Sequence, residues 1–321
     1  MIKKFSFAIL MILTAAHLNA QTSRIEFEAP LKYPEGTDWD AAGQRFFVSS
    51  ATTGAVGTVS LDGIYKTFHE DSSLKSSFGM KIDQRRGRLL ICTGDPNYSK
   101  YKDTATYQKM IRLIGLDLSS GKKVLDVDLS GLYVGKHFAN DLTLDSQGNI
   151  FITDSYSPAI YKVDASGNAT LYSTSLLFKG EDIGLNGIAW HPDGYLLTVN
   201  NSNGALIKVN PMQPDHPVLV DAHQFFPGAD GLLINQKGDL VLVQNKGVNK
   251  VFILTSKDHF NSASITAATA AEDRFAHPST ATMQGDKLYI LNSKLNELND
   301  PTQAPSKKFS LQVAEPIVVS K

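Results

Sequence analysis

The chain has 321 residues and is nearly electroneutral, with 31 basic and 32 acidic side chains and a net charge of −1. The charges are spread evenly, which leaves no basic stripe for nucleic acid and no acidic tail, and no low-complexity linker marks off a second domain. The lone cysteine, Cys92, lies in an apolar run and excludes an intramolecular disulfide, so stability has to come from packing and ring closure.

In chain order, the first segment reads as a targeting signal. Lys3 and Lys4 precede an apolar run from Phe5 to about Ala16, and Leu18-Asn19-Ala20 offers a cleavage site before Gln21. The run is too short for a stable membrane span. Residues 1–20 are expected to be a signal peptide and residues 21–321 a single mature domain, periplasmic or secreted, free of the membrane once cleaved. The segment RIEFEA, from Arg24, then alternates like a strand.

From residue 35 a phrase recurs six times: EGTDWD from Glu35, FGMKID from Phe78, NDLTLD from Asn140, NGIAWH from Asn186, DGLLIN from Asp230 and STATMQ from Ser279. Each copy runs through a turn that contains glycine into an apolar stretch, such as SQGN and IFITDS in the third copy. Successive starts lie 43, 62, 46, 44 and 49 residues apart. A period of roughly 40–50 residues with several short strands per unit is a propeller signature. The predicted fold class is all-β, a six-bladed β-propeller. The sixth unit ends in FSLQVAE with three strands of its own. The N-terminal strand from Arg24 is expected to complete it, closing the ring and removing an edge.

The second unit is long, and its surplus, Asp95–Lys109, holds three tyrosines and three lysines. Such a loop is either a lid over one face or a solvated excursion. The fifth position of the phrase is bulky and apolar in all copies (Trp39, Ile82, Leu144, Trp190, Ile234, Met283) and is expected to form the core between blades.

The first position reads Glu35, Phe78, Asn140, Asn186, Asp230, Ser279. Equivalent positions in a closed ring point at one axis, so Glu35, Asn140, Asn186 and Asp230 aim two carboxylates and two amide oxygens at a common point. Calcium takes six to eight oxygen ligands at roughly 2.3–2.6 Å. A sulfur-free, histidine-free set argues against zinc or copper. Four side chains leave positions for water or substrate. Ordinary turn chemistry is the competing reading of such residues. The second strands end in a further polar register, Ser49-Ser50, Asp154-Ser155, Asn200-Asn201, Gln244-Asn245 and Asn292-Ser293, expected either to support the ring or to cap the next turn. His137 and His277 lie just before the third and sixth ring positions, as pocket-rim or structural histidines. With Phe78, Phe138 and Ser279 they make up the expected substrate pocket.

Pro34-Glu35-Gly36, Asn140-Asp141, Leu185-Asn186-Gly187 and Ala229-Asp230-Gly231 resemble the phrases of the gluconolactonase/regucalcin-like (senescence marker protein type) six-bladed propellers, whose plan the paraoxonase-like lactonases share. The resemblance covers essentially all of the chain after residue 20. It implies that Glu35, Asn140, Asn186 and Asp230 hold a catalytic calcium in a metal-dependent lactone or ester hydrolase. Sugar-lactone members carry Arg where this chain has Phe138, and paraoxonase-like members carry His where it has Phe78, so the resemblance implies a more apolar pocket. The expected function is a calcium-dependent hydrolase of a lactone or related ester acting on a small-molecule substrate. Asp230 is the expected general base for a metal-associated water, with Glu35 in reserve. The alternatives are a non-catalytic ligand-binding or scaffold propeller, and a strictosidine-synthase-like propeller that needs no metal.

Overall fold

The computed structural model describes residues 24–319, and the expected signal peptide lies outside the described residues. Six antiparallel sheets stand in a ring around one axis, the predicted six-bladed propeller. Blade one runs outward as Thr37–Asp40, Arg45–Val48, Val56–Ser60 and Tyr65–His69. Blade two runs Ser76–Asp83, Arg88–Gly94, Ile111–Asp117 and Lys123–Asp128. Blade three is Ala139–Leu144, Ile150–Asp154, Ala159–Val163 and Ala169–Thr174. Blade four is Leu185–His191, Tyr195–Asn200, Leu206–Val209 and Val218–Leu219. Blade five is Ala229–Ile234, Leu240–Gln244, Lys250–Thr255 and Ser264–Ala268, and blade six begins Pro278–Gln284, Lys287–Asn292 and Lys308–Ala314.

The hairpins between first and second strands follow from local chemistry. In blade three, Asp145 Oδ1 accepts from the backbone N–H groups of Gln147 (2.8 Å) and Asn149 (2.9 Å), while Gly148 takes φ 86°, a left-handed conformation that suits glycine. Asn235 and Gly238 repeat the device in blade five.

The closing strand sits where the sequence places it. Arg24–Glu28 pairs antiparallel with Lys308–Ala314, from Arg24 opposite Gln312 to Glu28 opposite Lys308. Its alternation buries Ile25 and Phe27 and leaves Glu26 and Glu28 in solvent. The phenyl ring of Phe27 packs 6.2 Å from that of Phe309. A second clasp was not foreseen: the C-terminal strand Ile317–Val318 crosses to the outer edge of blade five, against Ser264–Ala268.

Two features bring the inner strands together at the axis. Ladder register shifts in blades two to six, between Ser77 and Met80, Ala139 and Leu142, Leu185 and Ile188, Ala229 and Leu232, and Pro278 and Ala281. Each shift brackets the first two residues of the phrase, and a bulge re-aims its side chains out of the pleat. Glycine at the second position then lets the neighbouring blade approach. A Cβ on Gly187 would fall 2.2 Å from the carbonyl oxygen of Asp230. The fifth-position residues behave less simply than expected. All six pack against the buried clusters between blades, yet each stays half-buried, because the phrase ends at the opposite mouth of the axis.

Closure of the ring by the N-terminal strand makes a direct prediction. Phe27→Ala leaves a cavity at the seam and should cost about 3–5 kcal/mol in urea unfolding, at the level of a large core truncation. A loss under about 1 kcal/mol would mean that the strand is dispensable.

Candidate functional site

The bulges deliver Asn140, Asn186 and Asp230 to the axis, and the start of blade one delivers Glu35. All four line a single cavity of about 860 Å³ and are only 4–6% exposed. Their oxygens are not satisfied by the protein. Glu35 Oε2, Asn140 Oδ1 and Asn186 Oδ1 are buried without a hydrogen-bond partner. Leaving a buried acceptor unpaired costs about 1–3 kcal/mol, so three at one point require an explanation. The amide orientations are set by the acceptors that their NH2 groups find. Asn140 Nδ2 donates to Ser155 Oγ (2.9 Å), which turns its oxygen inward, and the Asn186 side chain hydrogen-bonds to Asp230. An all-acceptor set of two carboxylates and two carboxamide oxygens fits a hard divalent cation.

The polar register at the second-strand ends splits between its two expected roles. One member of most pairs supports the ring. Ser49 Oγ accepts from the N–H groups of Glu35 (3.1 Å) and Gly36 (2.7 Å), Ser155 accepts from Asn140, and Asn245 Nδ2 donates to Asp230 Oδ2. The other member caps the following turn: Asp154 Oδ1 accepts from the N–H groups of Phe138, Tyr156 and Ser157.

The electrostatics show what the ring costs when nothing neutralises it. Burial, then the charge of Asp230, then that of Asp141, pushes the Glu35 carboxyl well above the carboxylate range. Burial and the charge of Asp141 push Asp230 up to about 8, against the hydrogen bonds from Asn245 and Asn186. Asp141 itself rises to about 6 through burial, with Lys81 pulling it back. Asp141 had no role in the sequence reading, because it occupies the phrase's second position, where four other copies have glycine.

The expected pocket residues separate into two groups. Phe138 and His277 line the cavity; Phe78, His137 and Ser279 do not. Phe78 is fully buried, with ring centroids 4.6 Å from Phe138 and 6.3 Å from Tyr98, so Tyr98 takes the exposed place. His137 Nδ1 is held 2.7 Å from Asp154 Oδ2 in the interior. Ser279 Oγ donates to the backbone carbonyl of Glu35 (2.6 Å), beside Thr280 Oγ1 (2.7 Å), and so anchors the ligand's main chain rather than a substrate. Burial lowers His277 to about 4, leaving a neutral imidazole at neutral pH. The apolar pocket expected from the two phenylalanines is only one wall, made by Tyr98, Phe138 and Ile183. The facing wall is polar, built by Asn245, Lys246 and Asn249 of blade five and by the blade-six loop from Lys294 to Gln303. Asn245 belongs to the polar register at the second-strand ends, whereas Lys246, Asn249 and the blade-six loop lie outside both repeated patterns and carried no signal.

A pH dependence follows for the cation-free protein. Glu35 and Asp230 bind protons more tightly folded than unfolded, so their contribution to stability is complete below their unfolded pKa values and is lost as pH rises through the folded ones. In chelator, the Tm should therefore fall between pH 7 and pH 9. Asp230→Asn should flatten that slope and raise the Tm at pH 9. A Tm independent of pH in this window, or the same slope in the variant, would contradict the shared burial of the two carboxyls.

The sequence matches the family model described as the SMP-30/Gluconolactonase/LRE-like region over residues 33–290. No curated protein sequence matches the chain. Among solved structures, the major allergen Mala s 1 of Malassezia sympodialis is similar, at 18% identity over 91% of this chain and 96% of that chain, with a TM-score of 0.72. A luciferin-regenerating enzyme follows at 14% identity, covering 92% and 96%, with a TM-score of 0.62. A protein proposed to be a gluconolactonase has 15% identity over 93% and 94%, with a TM-score of 0.60. At these identities the likeness shows the shared fold alone.

Proposed function

The chain belongs to the SMP-30/gluconolactonase/LRE-like family, and on that premise we propose that it hydrolyses a lactone or related ester in the axial cavity, using one divalent cation, calcium, held by Glu35, Asn140, Asn186 and Asp230. The observation that supports this reading most strongly is the convergence of three buried, unpartnered acceptor oxygens with the Asp230 carboxylate in one cavity. A strictosidine-synthase-like site, which needs no metal, would have no use for such a set.

When held by these four side chains, a cation would supply Lewis-acid polarisation of the acyl carbonyl. The protein's own groups do the rest. Asp230, oriented by the amide of Asn245, takes the proton of the attacking water, and Glu35 is the second candidate for that role. Ser49, Ser279 and Thr280 fix the backbone of Glu35, so its carboxylate needs little reorganisation during reaction. Phe138 and Ile183 exclude water from one side of the cavity and offer apolar surface to the substrate body. Each Å² of apolar substrate surface buried there contributes about 25 cal/mol. A hydroxylated substrate would leave hydroxyls unpaired against the same wall.

The test is a panel of lactones and esters assayed in calcium and in chelator. Aliphatic and aromatic lactones should show higher kcat/KM than glucono-lactone, and chelator should abolish turnover. Phe138→Ala should lower kcat/KM for the apolar substrates roughly tenfold, the loss expected when one aromatic contact worth about 1–2 kcal/mol is removed. A higher kcat/KM for glucono-lactone than for every apolar lactone would overturn the specificity. Calcium binding without hydrolysis of any substrate would overturn the hydrolase and leave a ligand-binding propeller.

A further inference from the structure

The blade-two excursion, Asp95–Lys109, places one side chain over the site and holds it there. Its backbone is rooted at several points. Asp95 Oδ2 accepts from Thr106 Oγ1 (2.7 Å), Lys75 Nζ pairs with Asp103 (2.6 Å), Ser99 Oγ donates to the Lys75 carbonyl (2.8 Å), and the Lys100 N–H donates to the Thr52 carbonyl (2.9 Å). The loop is thus a fixed wall rather than a hinged lid, and it delivers Tyr98.

The ring of Tyr98 packs against Phe78 and Phe138, at 6.3 and 6.4 Å, and lines the cavity shared by Glu35, Asn140, Asn186 and Asp230. A tyrosine with a buried ring ordinarily finds a partner for its hydroxyl. Tyr33 uses Glu297 and Tyr161 uses Asp154, whereas the hydroxyls of Tyr172 and Tyr195, away from the cavity, are left without one; what sets Tyr98 apart is its place in the cavity wall. The Tyr98 hydroxyl has no hydrogen-bond partner among the described residues, and the half-buried side chain lines the cavity beside the four ring residues. Burial and the charges of Asp182, Asp230 and Glu35 push its pKa up to about 12, so it remains a neutral O–H, a donor among acceptors.

We propose that Tyr98 is a catalytic residue of this hydrolase, the hydrogen-bond donor to the departing ester oxygen. The inference rests on the hydrolase reading and adds to it a residue from outside the repeated phrase. In the reaction, the water oxygen forms a bond to the acyl carbon and its proton passes to Asp230. The bond from the acyl carbon to the ester oxygen breaks, and the electron pair stays on that oxygen. The Tyr98 O–H supports the developing negative charge until the proton on Asp230 reaches it, giving the carboxylic acid and the alcohol. No reactant beyond water is needed. Other donors suit this task less well: Lys246 is exposed at the rim, and Lys294 is engaged by Ser306 and the Lys308 carbonyl.

The experiment is Tyr98→Phe, which keeps the ring and its packing. Wild type and variant are compared on esters of one acyl group with leaving groups from nitrophenol to a simple alcohol. The variant should melt within about 2 °C of wild type. On alkyl esters and lactones it should lose on the order of 100-fold in kcat, as when an oxyanion donor is removed, with KM little changed. On the nitrophenyl ester, whose leaving group needs no help, it should lose less than about threefold. A uniform loss across the series, or none, alongside an active wild type, would overturn the role of Tyr98 and leave the hydrolase standing. A wild type that turns over no member of the series would overturn the hydrolase reading, and Tyr98 with it.

Discussion

Two carboxylates and two carboxamide oxygens converge in one cavity, three of these side chains carrying a buried oxygen without a hydrogen-bond donor, and much of the structure follows from that constraint. Like charges buried together are unstable unless a proton or a cation joins them. The raised proton affinity of Glu35 and Asp230 is the proton solution, and the unpartnered oxygens point to a cation as the other. An ion that binds only the native ring would return the stability that the bare ring forfeits, by mass action.

The propeller gives such a cluster what it needs. Six inner strands converge because the ring is closed, and of the five whose start carries a register shift, three bring a side chain, Asn140, Asn186 or Asp230, into the axial cavity. The second strands return beside the same mouth, so Ser49, Ser155 and Asn245 hold the ring residues from behind. Both ends of the described residues are stitched into neighbouring blades, Arg24–Glu28 into blade six and Ile317–Val318 into blade five, which fixes the ring without a disulfide.

The ring residues were legible because they recur in register, and equivalent positions in a cyclic fold share an environment. The closing strand was legible because Ile25 and Phe27 alternate with glutamates ahead of a unit that lacks a strand. Residues that depart from the repeat, or lie outside it, were not. Asp141 hides at a position where other copies have glycine, so its entry into the charge cluster appears only when Asn140 is bulged. Phe78 shares the ring register yet never reaches the cavity, because Tyr98 from a non-repeating loop covers it. The polar wall comes from the blade-six loop, whose spacing bears no relation to the phrase. The family resemblance implied a cation and a lactone or ester substrate, whereas the shape of the axial cavity depends on these two loops.

The proposed cation site is tested most directly by calorimetric titration of calcium into protein stripped with chelator, alongside Glu35→Gln and Asp230→Asn. Wild type should bind one equivalent, and each variant, with a ligand charge removed, should bind far more weakly. No binding to wild type at millimolar calcium, or equal binding by all three proteins, would contradict a cation held by Glu35, Asn140, Asn186 and Asp230.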